Sequence, residues 1–202
     1  MKLSIYIILV FFFIACKNEK ETPGTLETTV KNNKKSLAKN TDKTTSQGML
    51  LCLINGKNWS YTEASGIITK NKRTNETLAT VTFKQKINKK TESVQLYYDV
   101  ITKKLKNISV SIYVEQNKHT GLAGGMQRTT YELFSTDKKD SNESMAGTID
   151  TSGANTLSGN ANAIINYNQK HLIKNKHDEI LHITDLQFSN VGYSDLSNGL
   201  KF

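Results

Sequence analysis

Proline is almost missing from this chain, with Pro23 the single example, and tryptophan occurs once, at Trp59. Cysteine occurs only at Cys16 and Cys52, so no disulfide framework can staple the fold. Long apolar runs are scarce as well. The only extended one, Leu3 to Ala15, is broken by Ser4 and is thirteen residues long. A membrane-spanning helix needs about 20 apolar residues, so this run is too short to span. Dense basic runs interleaved with aromatics are also lacking, although Lys and Arg number 27 against 18 acidic residues. Nucleic-acid binding uses such a stripe, so it is not expected here.

The N-terminus is the most informative stretch present. Met1-Lys2 gives a basic start, the apolar run follows, and a small residue precedes Cys16. That is the layout of a secretory signal with its cleavage point. Phe13-Ile14-Ala15-Cys16 resembles the lipobox of bacterial lipoproteins. The resemblance implies that residues 1–15 are removed and that Cys16 carries lipid through its sulfur and its new amino group. Two or three acyl chains would anchor the protein firmly, since each buried methylene contributes about 0.8 kcal/mol. An uncleaved anchor helix is the alternative reading of the same run. Lys17-Asn18-Glu19-Lys20-Glu21 resembles the lysine-and-acid export signal of Bacteroidota surface lipoproteins. That similarity favours a lipid anchor in the outer membrane and admits its outer face. The Asn- and Lys-rich, proline-poor composition agrees with such an origin.

Residues 16–47 are rich in Lys, Asn, Thr, Glu and Ser. Such a segment has too little apolar surface to offset the entropy of ordering, and is expected to be a disordered tether. Its root-mean-square span would be on the order of 30 Å. Residues 48–202 are one domain's worth of chain, long enough to bury a core without disulfides. Once Cys16 carries lipid, Cys52 stands alone in the apolar run Met49 to Ile54, where it reads as a core residue.

Period-two alternation dominates this domain. Ala79, Val81 and Phe83, then Val94, Leu96, Tyr98 and Val100, then Ile108, Val110, Ile112 and Val114 each alternate with polar neighbours. Half-buried strands have this signature. Weaker alternations cover Thr129 to Thr136, Met145 to Thr151, Ala161 to Tyr167 and Glu179 to Phe188. Asn55-Gly56 between two strand-like runs signals a type I′ hairpin. The spacing predicts an all-β domain, an antiparallel sandwich or barrel of about eight or nine strands. A short helix over Ala161 to Lys174 is the one competing local reading. Leu51 to Trp59 also resembles the opening of β-domains in uncharacterised Bacteroidota lipoproteins, which implies the same fold and no chemistry.

Chemistry is thin by comparison. His171, His177, Asp178, Glu179 and His182 form the nearest thing to a metal cluster, but the spacing of five from His177 to His182 suits neither a helix face nor a strand face. Asp150-Thr151-Ser152-Gly153 departs from the aspartic-protease pattern and occurs once, where that chemistry needs two carboxylates. Gly121 to Gly125 lacks the ending of a phosphate-binding loop, and no Gly-x-Ser-x-Gly elbow is present. No residue is therefore assigned as catalytic or metal-binding, and no cofactor is expected.

The domain holds 19 basic and 14 acidic side chains, a mild positive balance spread through turns. It suits solubility, protected sheet edges and weak attraction to anionic surfaces. Aromatics remain as recognition candidates, because Tyr and Trp give large contact at low entropic cost. Trp59, Tyr97 and Tyr113 are the expected ligand-binding residues, with Tyr97 and Tyr113 side by side on a wet face if their strands pair. Ordinary cross-strand packing is the competing account. The resulting expectation is a non-catalytic β-domain that binds a ligand or an envelope or extracellular partner. The alternatives are a small hydrolase or metal-dependent enzyme built on His171, His177 and His182, and an immunity- or inhibitor-type partner protein.

Overall fold

The alternating segments become ten β-strands in a computed structural model, which describes residues 48–117, 128–134 and 142–199. They are β1 (Met49–Ile54), β2 (Lys57–Tyr61), β3 (Glu63–Lys70), β4 (Thr77–Ile87), β5 (Lys90–Asp99), β6 (Leu105–Tyr113), β7 (Arg128–Phe134), β8 (Ser144–Gly153), β9 (Thr156–Asn166) and β10 (Ile180–Asp195). Two 3-10 turns, Lys170–Leu172 and Lys176–Asp178, precede β10. The all-β expectation holds, with ten strands rather than eight or nine. The hydrogen-bonded path runs β2-β1-β10-β3-β4-β5-β6-β7, and β9 and β8 continue from the other edge of β10. Among the described residues this sheet does not close into a barrel. Its two halves, β2-β1-β10-β9-β8 and β3 to β7, fold face to face.

Local chemistry explains most of the turns. Asn55 (φ 49°) and Gly56 (φ 74°) both sit in the left-handed region, as the type I′ turn between β1 and β2 requires. Asn88 and Asn155 occupy the same region in the short turns after β4 and β8. Asparagine tolerates that conformation better than most side chains. The helix alternative is corrected. Ala161, Ala163 and Ile165 face the core from β9, so period two continues to Asn166 and only Lys170–Leu172 is helical.

β10 joins the halves. Its first part pairs antiparallel with β1 (Leu53 with Thr184, Ile54 with Ile183), and its last part pairs parallel with β3 (Tyr193 with Gly66 to Asp195 with Ile68). Two bulges, at Asp185 and Asn190 (φ 56° each), interrupt its pairing with β9. Each inserts a residue and resets the face, so Leu181 and Ile183, then Leu186 and Phe188, then Val191 all point inward. Strict alternation would have turned two of the five, Leu186 and Phe188, to water. The reset, and the bend that comes with it, lets one strand serve both halves. At the parallel junction Gly66 has no room for a side chain: a Cβ would lie 2.7 Å from Tyr193 Cβ.

The core lies between the halves. Phe188 meets Phe83 (centroids 5.4 Å apart) and Tyr98 (6.3 Å), and Tyr131 meets Tyr167 (5.3 Å). Burying each such side chain contributes about 1.5–3 kcal/mol. The buried phenols still find acceptors, Tyr98 on the carbonyl of Asn160 at 2.9 Å and Tyr131 on that of Asp178. Cys52 is buried, and loss of solvent pushes its thiol up to about 12, which suppresses the nucleophilic thiolate.

Candidate functional site

The sandwich has two ends. At one of them the Asn55–Gly56 turn, the close of β4, the start of β5, the close of β6 and the turn Lys176–Asp178 converge around a cavity of about 330 Å³. Ile54, Trp59, Ile112, Val114 and Leu181 give it an apolar floor, and Asn55, Asn58, His177 and Asp178 stand at its rim. Trp59 lies opposite Cys52 in the β1–β2 ladder and is buried.

Glu92 organises this cavity. It occupies an inward position of β5, two residues before buried Val94, where an apolar side chain would be expected. One carboxylate oxygen, Oε2, accepts from the indole Nε1 of Trp59 at 3.0 Å. The other, Oε1, accepts from the backbone N–H of Tyr113 at 3.0 Å. One acid thus fixes the indole and the end of β6, and charge-assisted bonds of this kind are roughly twice as strong as neutral ones. Above it the ammonium of Lys90 lies 4.8 Å from the Tyr113 ring centroid, a cation–π contact.

The rim is equally fixed. Asn55 Nδ2 donates to the His177 carbonyl at 2.9 Å, and Asn55 Oδ1 accepts from the His182 N–H at 2.8 Å. The Asn55 N–H donates to the His182 carbonyl at 2.9 Å. One hairpin residue therefore pins both the 3-10 turn and the start of β10. His177 Nε2 is 3.3 Å from the Asn55 carbonyl oxygen. The result is a small, preformed cavity that pairs an aromatic floor with a carboxylate and amides, the mixture that suits a small polar ligand.

Of the three residues expected to bind ligand, two are here and one is not. Trp59 and Tyr113 line the cavity. Tyr97 lies elsewhere on β5, with its hydroxyl donating to Gln95 Oε1 at 3.0 Å. Partial burial, with Glu132 nearby, raises its phenol above the ordinary value. The side-by-side arrangement of Tyr97 and Tyr113 is corrected. β5 and β6 do pair, but Tyr97 is opposite Asn107, and Tyr113 lies two residues past the Ser93–Ser111 pair. Six residues of strand separate the two levels, on the order of 20 Å. Face parity was readable from the chain, whereas register was not.

The histidines do not converge. His171 and His177 are exposed in separate 3-10 turns, and His182 is exposed on the outer side of β10. Their main-chain groups do structural work, as when the His171 carbonyl accepts from Asn117 Nδ2 at 2.8 Å. Among the described residues no group of three or more His, Cys, Asp or Glu side chains could hold a metal ion.

A wider, shallower groove of about 740 Å³ runs over the outer face of β8 to β10 beside Met49, Leu50 and Tyr61. Its central polar pair is self-satisfied: Asn160 Nδ2 donates to Thr148 Oγ1 at 3.0 Å, and the Thr148 N–H donates back to Asn160 Oδ1 at 3.3 Å. The smaller cavity is the one that holds two of the expected ligand-binding residues, Trp59 and Tyr113.

No protein-family model, curated protein or solved structure matches this chain. The functional reading therefore rests on the residues themselves. Glu92 is the site residue that sequence reasoning missed. Its signal was present, as an acid on the apolar side of the alternation that runs through Val94, Leu96 and Tyr98.

Proposed function

We propose that the protein is a bacterial envelope lipoprotein, anchored in the outer membrane through lipid on Cys16, whose β-domain is a non-catalytic binding module. A small polar ligand, or a projecting side chain of an envelope partner, enters the cavity over Trp59. The observation that carries this reading is the Glu92 carboxylate shared between Trp59 Nε1 and the Tyr113 N–H. That arrangement orders the floor before any ligand arrives, and preorganisation of this kind raises affinity by lowering the ordering cost of binding. The lipobox-like Phe13-Ile14-Ala15-Cys16 supports the anchoring half.

Native mass spectrometry of the protein extracted from its own cells in mild detergent tests both halves. The expected result is an acylated chain beginning at Cys16, plus a non-covalent mass that denaturation removes and Glu92→Gln weakens. An unacylated Cys16 would overturn the anchor. A bound mass indifferent to Glu92→Gln, or no bound mass in either protein, would overturn the binding site.

A further inference from the structure

We propose that the opposite end of the sandwich, around Ile101, docks onto an anionic lipid surface. Two turns meet there, the β3–β4 connection (71–76) and the β5–β6 connection (100–104). They are held together by the Val100 N–H on the Thr77 carbonyl at 3.0 Å and by the Lys106–Glu76 ion pair. Ile101 projects from the second turn and is 79% exposed, the most exposed of the large hydrophobic residues described. The turn beneath it is rigid, because Asp99 Oδ1 accepts from the N–H groups of Ile101 (2.9 Å) and Thr102 (2.7 Å). It is also tied to β8, where the Ile149 N–H donates to the Lys103 carbonyl at 3.0 Å. A large aliphatic side chain is thus held in water by a braced turn, where it cannot fold back for cover.

Around it stand Lys70, Lys72, Arg73, Lys103 and Lys104, all exposed and none within ion-pair distance of an acid among the described residues. An aliphatic tip ringed by free cations is complementary to a bilayer interface, with hydrocarbon for Ile101 and anionic headgroups for the lysines. A soluble acidic polysaccharide would satisfy the cations and leave Ile101 in water, so lipid is the better match.

The Trp59 end provides the internal contrast. Its most exposed aliphatic, Ile87, is only 42% exposed. Three of its lysines are engaged, Lys86 with Glu63, Lys174 with Glu115 and Lys90 with the Tyr113 ring, while Lys57, Lys89 and Lys176 are exposed and unpaired among the described residues, so the contrast lies in the aliphatic tip.

The proposal rests on the lipoprotein reading for the nearness of a membrane, and the two fail separately. The test places a reporter at the tip: full-length protein with Ile101→Trp, reconstituted in vesicles of equal parts phosphatidylglycerol and brominated phosphatidylcholine. The expected result is strong quenching of the new tryptophan, absent when phosphatidylcholine is the only lipid. Quenching should also be relieved at about 1 M salt, where the screening length falls to about 3 Å. Lys103→Ala with Lys104→Ala should weaken the docking equilibrium by roughly 30-fold. Ile87→Trp, at the other end, should stay unquenched. An acylated chain whose Ile101→Trp is unquenched sinks the docking and leaves the anchor standing, and equal quenching at both positions would overturn the orientation. A spectral shift with a soluble acidic polysaccharide and none with vesicles would overturn the choice of lipid.

Discussion

The two ends of this sandwich use a carboxylate in different ways. At the Trp59 end Glu92 lies inside the fold with both oxygens engaged, and Lys86 and Lys174 are drawn into ion pairs. At the Ile101 end Asp99 is spent on its own turn, and five cations beside it have no acid within ion-pair distance among the described residues. Both ends belong to one sheet and share one core, so their different surfaces come from a few inward or turn residues. A carboxylate turned inward builds a fixed cavity, while one turned back on its own loop stiffens a tip and leaves the cations to solvent.

Removing what the ends share should have the largest effect. Phe188→Ala takes away the ring that contacts Phe83 and Tyr98 between the halves. The expected destabilisation is about 3–5 kcal/mol, measured by urea unfolding. Protection from hydrogen exchange should fall at both ends together. Loss confined to one end would show that the ends are independently stable and break the comparison.

Glu92→Ala should act next, and locally. It leaves the Trp59 Nε1–H and the Tyr113 N–H without their acceptor, at an expected cost of about 1–3 kcal/mol. Tryptophan emission should report a freer indole while exchange at Ile101 and Thr102 is unchanged. Coupled loosening of the Ile101 turn would contradict the separation of the two ends.

The Asp99 turn gives a smaller, pH-dependent effect. Hydrogen bonds from Thr102 and Ile101 hold its carboxyl below the ordinary value of 3.8, with Lys106 helping. A lowered folded value means that the stabilisation is present above pH 3.8 and disappears as pH falls through the folded value. Because the group faces solvent, its contribution should stay under about 1 kcal/mol. Asp99→Asn should flatten the acid limb of a stability-versus-pH curve, and an unchanged limb would show that the turn bonds carry no such linkage.

The smallest effect belongs to His177. Its ring is exposed and makes one 3.3 Å contact, so His177→Ala should shift stability by less than about 0.5 kcal/mol. Zinc should leave the melting temperature of either protein unchanged. A zinc-dependent rise that the variant loses would revive the metal-dependent alternative.

Several of these features could be read from the chain. Val94, Leu96 and Tyr98 are buried as alternation demands, and Asn55-Gly56 makes the hairpin its φ preferences favour. The length of β10 was not legible, because Asp185 and Asn190 reset its face and no single two-residue count runs from Ile180 to Asp195. Two of the three binding candidates, Trp59 and Tyr113, share the cavity, but through Glu92, which lies 33 residues from one and 21 from the other. No local pattern joins residues so far apart.

Which segments are strands, which way most side chains face and where the chain turns all follow from the order of residues alone. Those properties depend on backbone sterics and on a two-residue period, both local. Tertiary structure alone decided that β10 would serve both halves, that Tyr97 and Tyr113 would lie levels apart, and that Glu92 would sit under Trp59. These follow from strand order and register, set by the requirement that both inner faces be dry at once. That requirement belongs to the whole chain and cannot be read from any one segment.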